Sequence, residues 1–271
     1  MKVTVIPNFN TVDGTAVAEK VCRALQNLSV TVIMPKDTAF PPSDLDDCLR
    51  QCDVAVALGG DGTIIHCAKR AAAFDVPVLG INSGRLGFTA GLEVGELEAL
   101  SRLINGEYTL ERRMLLDVTV GNRTFHALNE AVVSRGALSR MVEVEVTNHS
   151  ESVSCYKADG VIVATPTGST AYSLAAGGPV VDTSLHCLLL TPICPHSLYT
   201  RPYVFDLDAQ LTLTPLSDTS VFLTVDGEEA IAIQVGESVR VARSKTEASL
   251  IRLIHKPFYE VLHEKLMNRK D

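Results

Sequence analysis

Gly59-Gly60-Asp61-Gly62-Thr63 puts three glycines, one carboxylate and one hydroxyl into five residues. Before it runs Asp53-Val54-Ala55-Val56-Ala57-Leu58, whose apolar body reads as a buried parallel strand. After it, Ile64 to Phe74 reads as a helix. Glycines at a strand-to-helix turn let backbone N–H groups approach a ligand closely. The helix N-terminus behind them favours negative charge, so the stretch forms a cradle for phosphate. Asp61 is the anomaly in that cradle. An acid beside bound phosphate costs electrostatic energy unless it holds a cation or takes a proton, and both jobs belong to phosphoryl transfer. A plainer reading makes Gly-Asp-Gly a tight turn capped by Asp61. Two familiar phosphate loops are excluded. No glycine is followed by lysine as in G-x-x-x-x-G-K-[ST], and the glycine spacing never gives G-x-G-x-x-G.

Two further stretches carry chemistry. Asn129-Glu130 precedes apolar Ala131-Val132-Val133, so Glu130 falls where a charge must be paired or hydrogen-bonded. The alternative is a hairpin-edge pair facing water. Asp159-Gly160 precedes Val161-Ile162-Val163-Ala164, and then comes Thr165-Pro166-Thr167-Gly168-Ser169-Thr170-Ala171-Tyr172-Ser173-Leu174-Ala175-Ala176-Gly177-Gly178-Pro179. Small residues, glycines and hydroxyls suit a close-fitting floor under a flat ligand. They also suit a loop and a packed helix start with Ser or Thr caps.

The elements that must position these groups fall into two kinds. Val3–Ile6, Val30–Met34, Val54–Leu58 and Val78–Ile81 are short β-branched runs. Between and after them, Ala16–Leu28, Asp44–Cys52, Thr63–Phe74 and Leu97–Ile104 show helical spacing. That alternation predicts βαβ units on a parallel sheet, with ligands at the carboxyl ends of strands. Beyond Asn105-Gly106 the character changes. Leu116–Val120, Thr124–Leu128, the alternating Met141–Thr147, Gln210–Thr214, Val221–Val225, Ala230–Ile233 and Val239–Val241 read as strands. Pro257–Arg269 reads as an amphipathic helix. The expected fold is a Rossmann-like α/β domain over residues 1–108 plus the tail 255–271. A β-rich, sandwich-like domain is expected over 109–254.

A chain of 271 residues fits one large domain or two modest ones. The net charge of -8 argues against nucleic acid and anionic membranes as partners. Phosphates must then be held by amide nests or bound cations. The 7 cysteines are scattered without C-x-x-C, as expected of reduced thiols in a cytoplasmic protein. The N-terminus is too short in apolar run for a signal peptide. The uncharged stretch between Asp159 and Asp182 is broken by glycines, Pro166 and Pro179, so it is no membrane span.

Taken together, these residues resemble the NAD kinases. That family combines a GGDGT loop, an Asn-Glu pair, and an Asp-Gly strand leading into TPTGSTAYSLxAGGP; all three stand here in order. Gly80-Ile81-Asn82-Ser83-Gly84-Arg85-Leu86-Gly87-Phe88, and Pro195-His196-Ser197-Leu198 followed by Arg201-Pro202, resemble further segments of the family. The resemblance implies transfer of the terminal phosphoryl of ATP to the 2′-hydroxyl of the adenosine ribose of NAD. It implies a site between an α/β and a β-rich domain. Asp61 would accept the hydroxyl proton, and the amides of Gly60, Gly62 and Thr63 would hold phosphates. Asn129 and Glu130 would orient ribose hydroxyls. Phe88, Thr170, Ala171 and Tyr172 would enclose the adenine or nicotinamide. Asp159, with Lys157 on the same strand face, would contact the other end of the dinucleotide, and Arg140 would reach the site from a neighbouring strand or subunit. His66, one turn into the helix, could face a phosphate, or simply pack. Ala175 stands in the binding run where relatives often carry Ser. Glu228 follows Asp226-Gly227 where many have Gln, Asp226-Gly227 itself reading as a hairpin turn. The tail lacks the family's frequent Trp.

With few basic residues near the loop, Mg²⁺ is the expected charge neutraliser, and no residue is assigned as a dedicated metal ligand. The resemblance also implies a homodimer or homotetramer. Two rivals share parts of the pattern. A lipid kinase of the diacylglycerol or sphingosine type has a similar GGDG loop but needs a membrane-binding face. A non-catalytic NAD(P)-binding regulator would have no use for an intact Asp61 and Asn129-Glu130.

Overall fold

The computed structural model describes residues 1–9, 14–82, 87–137, 140–197, 199–216, 220–228, 230–254 and 256–267, with side chains through 265. The chain divides into two compact units, 1–112 with 248–271, and 113–247.

In the first unit, β1 (Lys2–Pro7), β2 (Thr31–Ile33), β3 (Val54–Leu58) and β4 (Val78–Asn82) form a parallel sheet ordered β2-β1-β3-β4. The short β5 (Leu92–Glu93) adds to β4, also in parallel. Every residue of β3 and β4 is buried. That is why these strands read as unbroken apolar runs rather than alternating ones. Helix α1 (Gly14–Asn27) buries Val17, Ala18, Val21 and Leu25 at helical spacing against the sheet. Helix α2 (Leu45–Leu49) is a single short piece. Helix α3 starts at Asp61 and runs to Ala72, so the phosphate loop is the turn between the end of β3 and α3. The helix begins two residues before the helical spacing over Thr63–Phe74, which puts Asp61 in its first turn. The expected helix over 97–104 is broken. Val94–Ala99 is a 3₁₀ stretch with Glu96 off helical geometry, and only α4 (Leu100–Asn105) is α-helical. Gly106, at φ 72°, ends it.

In the second unit, two sheets face each other. One is antiparallel and holds β8 (Glu130–Arg135), β11 (Gly160–Ala164), β12 (Cys187–Ile193), β13 (Tyr203–Asp206), β15 (Val221–Val225) and β16 (Ile231–Ile233). Their order is β13-β12-β11-β8-β15-β16. The other carries β9 (Val142–Asn148), β10 (Glu151–Ala158), β14 (Gln210–Pro215) and the start of β17 (Val239–Arg252). A hairpin of β6 (Thr109–Val120) and β7 (Arg123–Ala127) completes the unit's strands. Val142, Val144 and Val146 of β9 alternate inward, as do Leu211 and Leu213 of β14. They share a core with Val161 and Val163 of β11 and Leu188 and Leu190 of β12. This is the sandwich that the period-two patterning predicts. The short helix α5 (Tyr172–Ala175) follows β11, and the last residues of β17 pair back in the first unit, Leu250 against Val78, and lead to α6 (Phe258–Met267). Among the described residues no helix is long and apolar enough to cross a membrane.

Candidate functional site

Asp61 sits in the first turn of α3, where the helix dipole favours its charge. Exposed Gly60 and Gly62 flank it, and the buried Thr63 hydroxyl accepts a hydrogen bond from Asn8 Nδ2 at 2.9 Å, tying the loop to the end of β1. The Asp61 carboxylate is held by four donors. Thr89 gives its amide (3.0 Å) and its hydroxyl (2.5 Å) to Oδ1. The Phe88 amide (3.2 Å) and the Lys265 ammonium (2.9 Å) reach Oδ2. Burial pushes the Asp61 carboxyl up. Thr89 and the Lys265 charge outweigh it, so the group titrates below its ordinary value and is ionised at neutral pH. A proton acceptor must start in that state.

The 87–90 segment is built to press against Asp61. A Cβ on Gly87 would collide with the Asp61 carboxylate, so only glycine allows the approach. Arg252, near the end of β17, donates to the carbonyls of Phe88 (3.1 Å), Thr89 (3.2 Å) and Ala90, and pairs with Glu111 at 3.0 Å. The peptide whose Thr89 amide grips Asp61 is thus held from behind by its Phe88 carbonyl, as are the two peptides after it.

A second cluster lies in the second unit. Asp226 occupies the β15–β16 turn at φ 50°, followed by Gly227 at φ 70°. Its carboxylate accepts from three successive amides, those of Leu128 (2.9 Å), Asn129 (2.8 Å) and Glu130 (3.0 Å). The turn was legible as a hairpin; its hold on Asn129-Glu130 was not. The Thr165 amide and hydroxyl donate to the carbonyls of Asn129 (2.8 Å) and Leu128 (2.6 Å). A Cβ at Gly168 would strike the Asn129 backbone. The TPTG run is therefore zipped onto the Asn-Glu segment. Its hydroxyls divide: Ser169 and Ser173 are buried and bonded internally, Ser173 to Thr191 at 2.9 Å. Tyr172 is 45% exposed, with Thr170 and Ala171 half-buried beside it and Ala175 exposed.

Glu130 is only 6% exposed, and its Oε2 has no hydrogen-bond partner among the described residues. Burial, and then the Asp226 carboxylate, push the Glu130 carboxyl up to about 7, against the Tyr172 amide that donates to it. A carboxyl raised on folding costs stability as pH climbs from its unfolded to its folded value. Glu130 therefore costs nothing below pH 4.5 and its full penalty, roughly 3 kcal/mol, above pH 7. Glu130→Gln is expected to melt higher than wild type at pH 8, with the gap closing towards pH 4.5. Thermal melts across that range check it; a gap that ignores pH contradicts it.

The remaining sequence-derived residues scatter. Lys157 is exposed on β10. Asp159 lies in the bend between β10 and β11 and not on a strand face with Lys157, because the chain turns there into β11. Its carboxylate pairs with Arg135 at 2.6 Å. His66 meets Phe40 edge-on at 5.5 Å. Arg140 is exposed, with neighbours 138 and 139 outside the described residues. Ser83 to Leu86 of the Gly80–Phe88 segment, and Leu198, also lie outside them. Residues that the sequence reading missed are Thr89, Arg252, Asp226 as a holder of amides, and Lys265 as a charge. Lys265 did carry a signal: it shares the α6 face with Phe258 and Leu262, at i, i+4 and i+7.

The family model for the ATP-NAD kinase N-terminal domain matches residues 44–108, and that for the ATP-NAD kinase C-terminal domain matches 128–253. The NAD kinase of Symbiobacterium thermophilum is 48% identical over 223 residues, 80% of this chain and 79% of that protein. The NAD kinase of Syntrophotalea carbinolica is 36% identical over 278 residues, 98% of each chain. Among solved structures, yeast NADH kinase complexed with NADH superposes with TM-score 0.85 at 26% identity, over 100% of this chain and 89% of that one. An NAD kinase from Archaeoglobus fulgidus in complex with ATP shares the fold, with TM-score 0.81 at 24% identity, over 98% of this chain and 99% of that one.

Proposed function

Because the chain belongs to the NAD kinase family, and so phosphorylates NAD, we propose that Asp61 is the base that takes the proton of the 2′-hydroxyl of the adenosine ribose as ATP gives up its terminal phosphoryl. The observation that carries this is an ionised carboxylate in the first turn of α3, held by four donors beside exposed glycine amides. The 2′-oxygen bonds to the terminal phosphorus, the bond to the departing diphosphate breaks, and NADP and ADP result. A positioned carboxylate contributes about 10²–10⁴-fold. Alignment and charge neutralisation lower most of the remaining barrier.

The amides of Gly60, Gly62 and Thr63 hold donor phosphates. Asn129 and Glu130 orient ribose hydroxyls; the buried, unpartnered Oε2 of Glu130 suits a hydroxyl that donates to it. Thr170, Ala171 and the exposed Tyr172 line a ring of the dinucleotide, Phe88 another part, and Lys157 and Asp159 its far end. Mg²⁺ belongs to the donor substrate. It would be held chiefly by the donor's phosphates and by water, and would neutralise charge on the group in transfer. The protein works in a reducing, cytoplasmic setting, in keeping with seven free cysteines. It assembles as a dimer or tetramer through the β-rich unit. Edge strand β13 exposes Tyr203 and Val204 at 45% and 60%, and such edges need cover.

Two measurements test this reading. With NAD and ATP, chelation of divalent cations should abolish turnover and Mg²⁺ should restore it; turnover unaffected by chelation removes the metal from the donor. Light scattering should give a mass of two or four chains, and about 29 kDa would overturn the assembly.

A further inference from the structure

Asp61 has a difficulty as a base: its lone pairs are taken. A carboxylate offers about four acceptor sites, and Asp61 has four donors. One of them must leave before a substrate proton can arrive. The Phe88 and Thr89 amides are fixed, since Arg252 holds the carbonyls of residues 88–90. The Thr89 hydroxyl is buried on a short stem. Lys265 is different. Its ammonium comes from the tail helix on a flexible four-carbon stem, and side-chain exposure of 28% leaves it room to move. It also rests over the Phe88 ring, 4.2 Å from the centroid, while Phe258 of the same helix packs on Phe88 at 6.4 Å. These contacts hold the tail helix at the loop and leave the ammonium two alternative supports, a carboxylate and an aromatic face.

The loop itself carries no cation. Gly59–Thr63 lacks Lys and Arg, and the basic residues of α3, Lys69 and Arg70, stand at its far end. Among the described residues Lys265 is the one cation on Asp61. A transferring phosphoryl group spreads negative charge over three equatorial oxygens and needs a positive partner there.

We propose that Lys265 is a further substrate-contacting residue of the transfer: it leaves Asp61 Oδ2 as the 2′-hydroxyl takes that position, and places its charge on the phosphoryl group in flight. The inference rests on the NAD kinase reading and on Asp61 as the base. One exchange then does two things. It frees the lone pair that the proton needs, and it delivers the charge that the transition state needs. Covalently nothing changes at Lys265. The hydroxyl proton passes to Asp61, the O–P bond to ADP breaks, and the new O–P bond forms.

The test compares Lys265→Ala, Lys265→Met and Lys265→Arg with wild type under saturating NAD and MgATP, with melting temperatures alongside. Removing one charge-stabilising donor from a transition state costs roughly 10²–10³-fold in other enzymes. The Ala and Met variants should therefore lose at least about 10-fold in kcat, with KM for NAD changed by less than about threefold. Lys265→Arg should keep part of the rate. Added ethylammonium should restore several-fold in Lys265→Ala and nothing in Asp61→Asn. A kcat that is unchanged or raised overturns the proposal, the latter making Lys265 an inhibitory clamp. So does a loss that tracks the melting temperature and that neither arginine nor the amine repairs, which would make it a structural tie. Wild type that makes no NADP would instead overturn the underlying reading, so the two failures are distinct.

Discussion

Asp61→Asn is expected to lower kcat by roughly 10²-fold or more while NAD binding is kept or improved. The substitution is nearly isosteric. The amide oxygen can still accept from Thr89, whose amide and hydroxyl lie at 3.0 and 2.5 Å from Oδ1. Residue 61 would still begin α3, so the loop should form and the fold survive. What disappears is the proton acceptor and one negative charge beside the donor's phosphates. Asn also presents an NH₂ where Lys265 Nζ stands at 2.9 Å, so the tail lysine should be pushed off its partner. Steady-state kinetics with calorimetric NAD binding checks this. More than about half of wild-type kcat in a folded Asp61→Asn enzyme, far inside the 10²-fold expectation, would remove Asp61 from the mechanism. If excess Mg²⁺ recovered most of the rate, the carboxylate would be a cation holder and not a base.

Asp226→Ala should produce the second large effect, on binding and stability more than on chemistry. The carboxylate satisfies three consecutive amides at 2.8 to 3.0 Å. Hydrogen bonds to charged groups contribute about 1.5–3 kcal/mol each and are not additive, so a total loss of about 3 kcal/mol is expected. Position 226 also sits at φ 50°, which Asp and Asn tolerate better than Ala. The freed segment carries Asn129 and Glu130, so KM for NAD should rise about 10-fold or more, the cost of losing one good positioning contact. Asp226→Asn keeps an acceptor and the turn, and removes a charge that pushes Glu130 up. It should lie between Ala and wild type in both readouts. Urea midpoints and KM values measure this. If Asp226→Ala matches wild type in both, the turn is only a turn.

The local half of this molecule was legible in its residues. β-branched runs announced β1, β3 and β4 because parallel strands are buried on both faces. Strict alternation announced β9 because one face meets the core. The phosphate loop was legible because glycines, one acid and a strand-helix junction are neighbours in sequence. The helix over 97–104 misled, since apolar spacing does not separate a 3₁₀ stretch from an α-helix, and Val94–Ala99 is 3₁₀ with Glu96 off helical geometry. The partners of the chemical groups were the hidden part. Lys265 is 204 residues from Asp61, Arg252 is 164 from Phe88, and Asp226 is 97 from Asn129. No spacing rule reaches so far. Asp159 shows the limit from the other side. Its pairing with Arg135 depends on how two strands register, and sequence pattern sets their faces but not that cross-strand partner.

NADP is the product that decides the matter most directly. Purified protein with NAD and MgATP should form NADP, read by an NADP-specific dehydrogenase that accepts only the 2′-phosphate, in one-to-one ratio with ADP. Asp61→Asn protein that still binds NAD should form it at least about 10²-fold more slowly. ATP consumed without NADP, or NADP formed equally fast by both proteins, would contradict it.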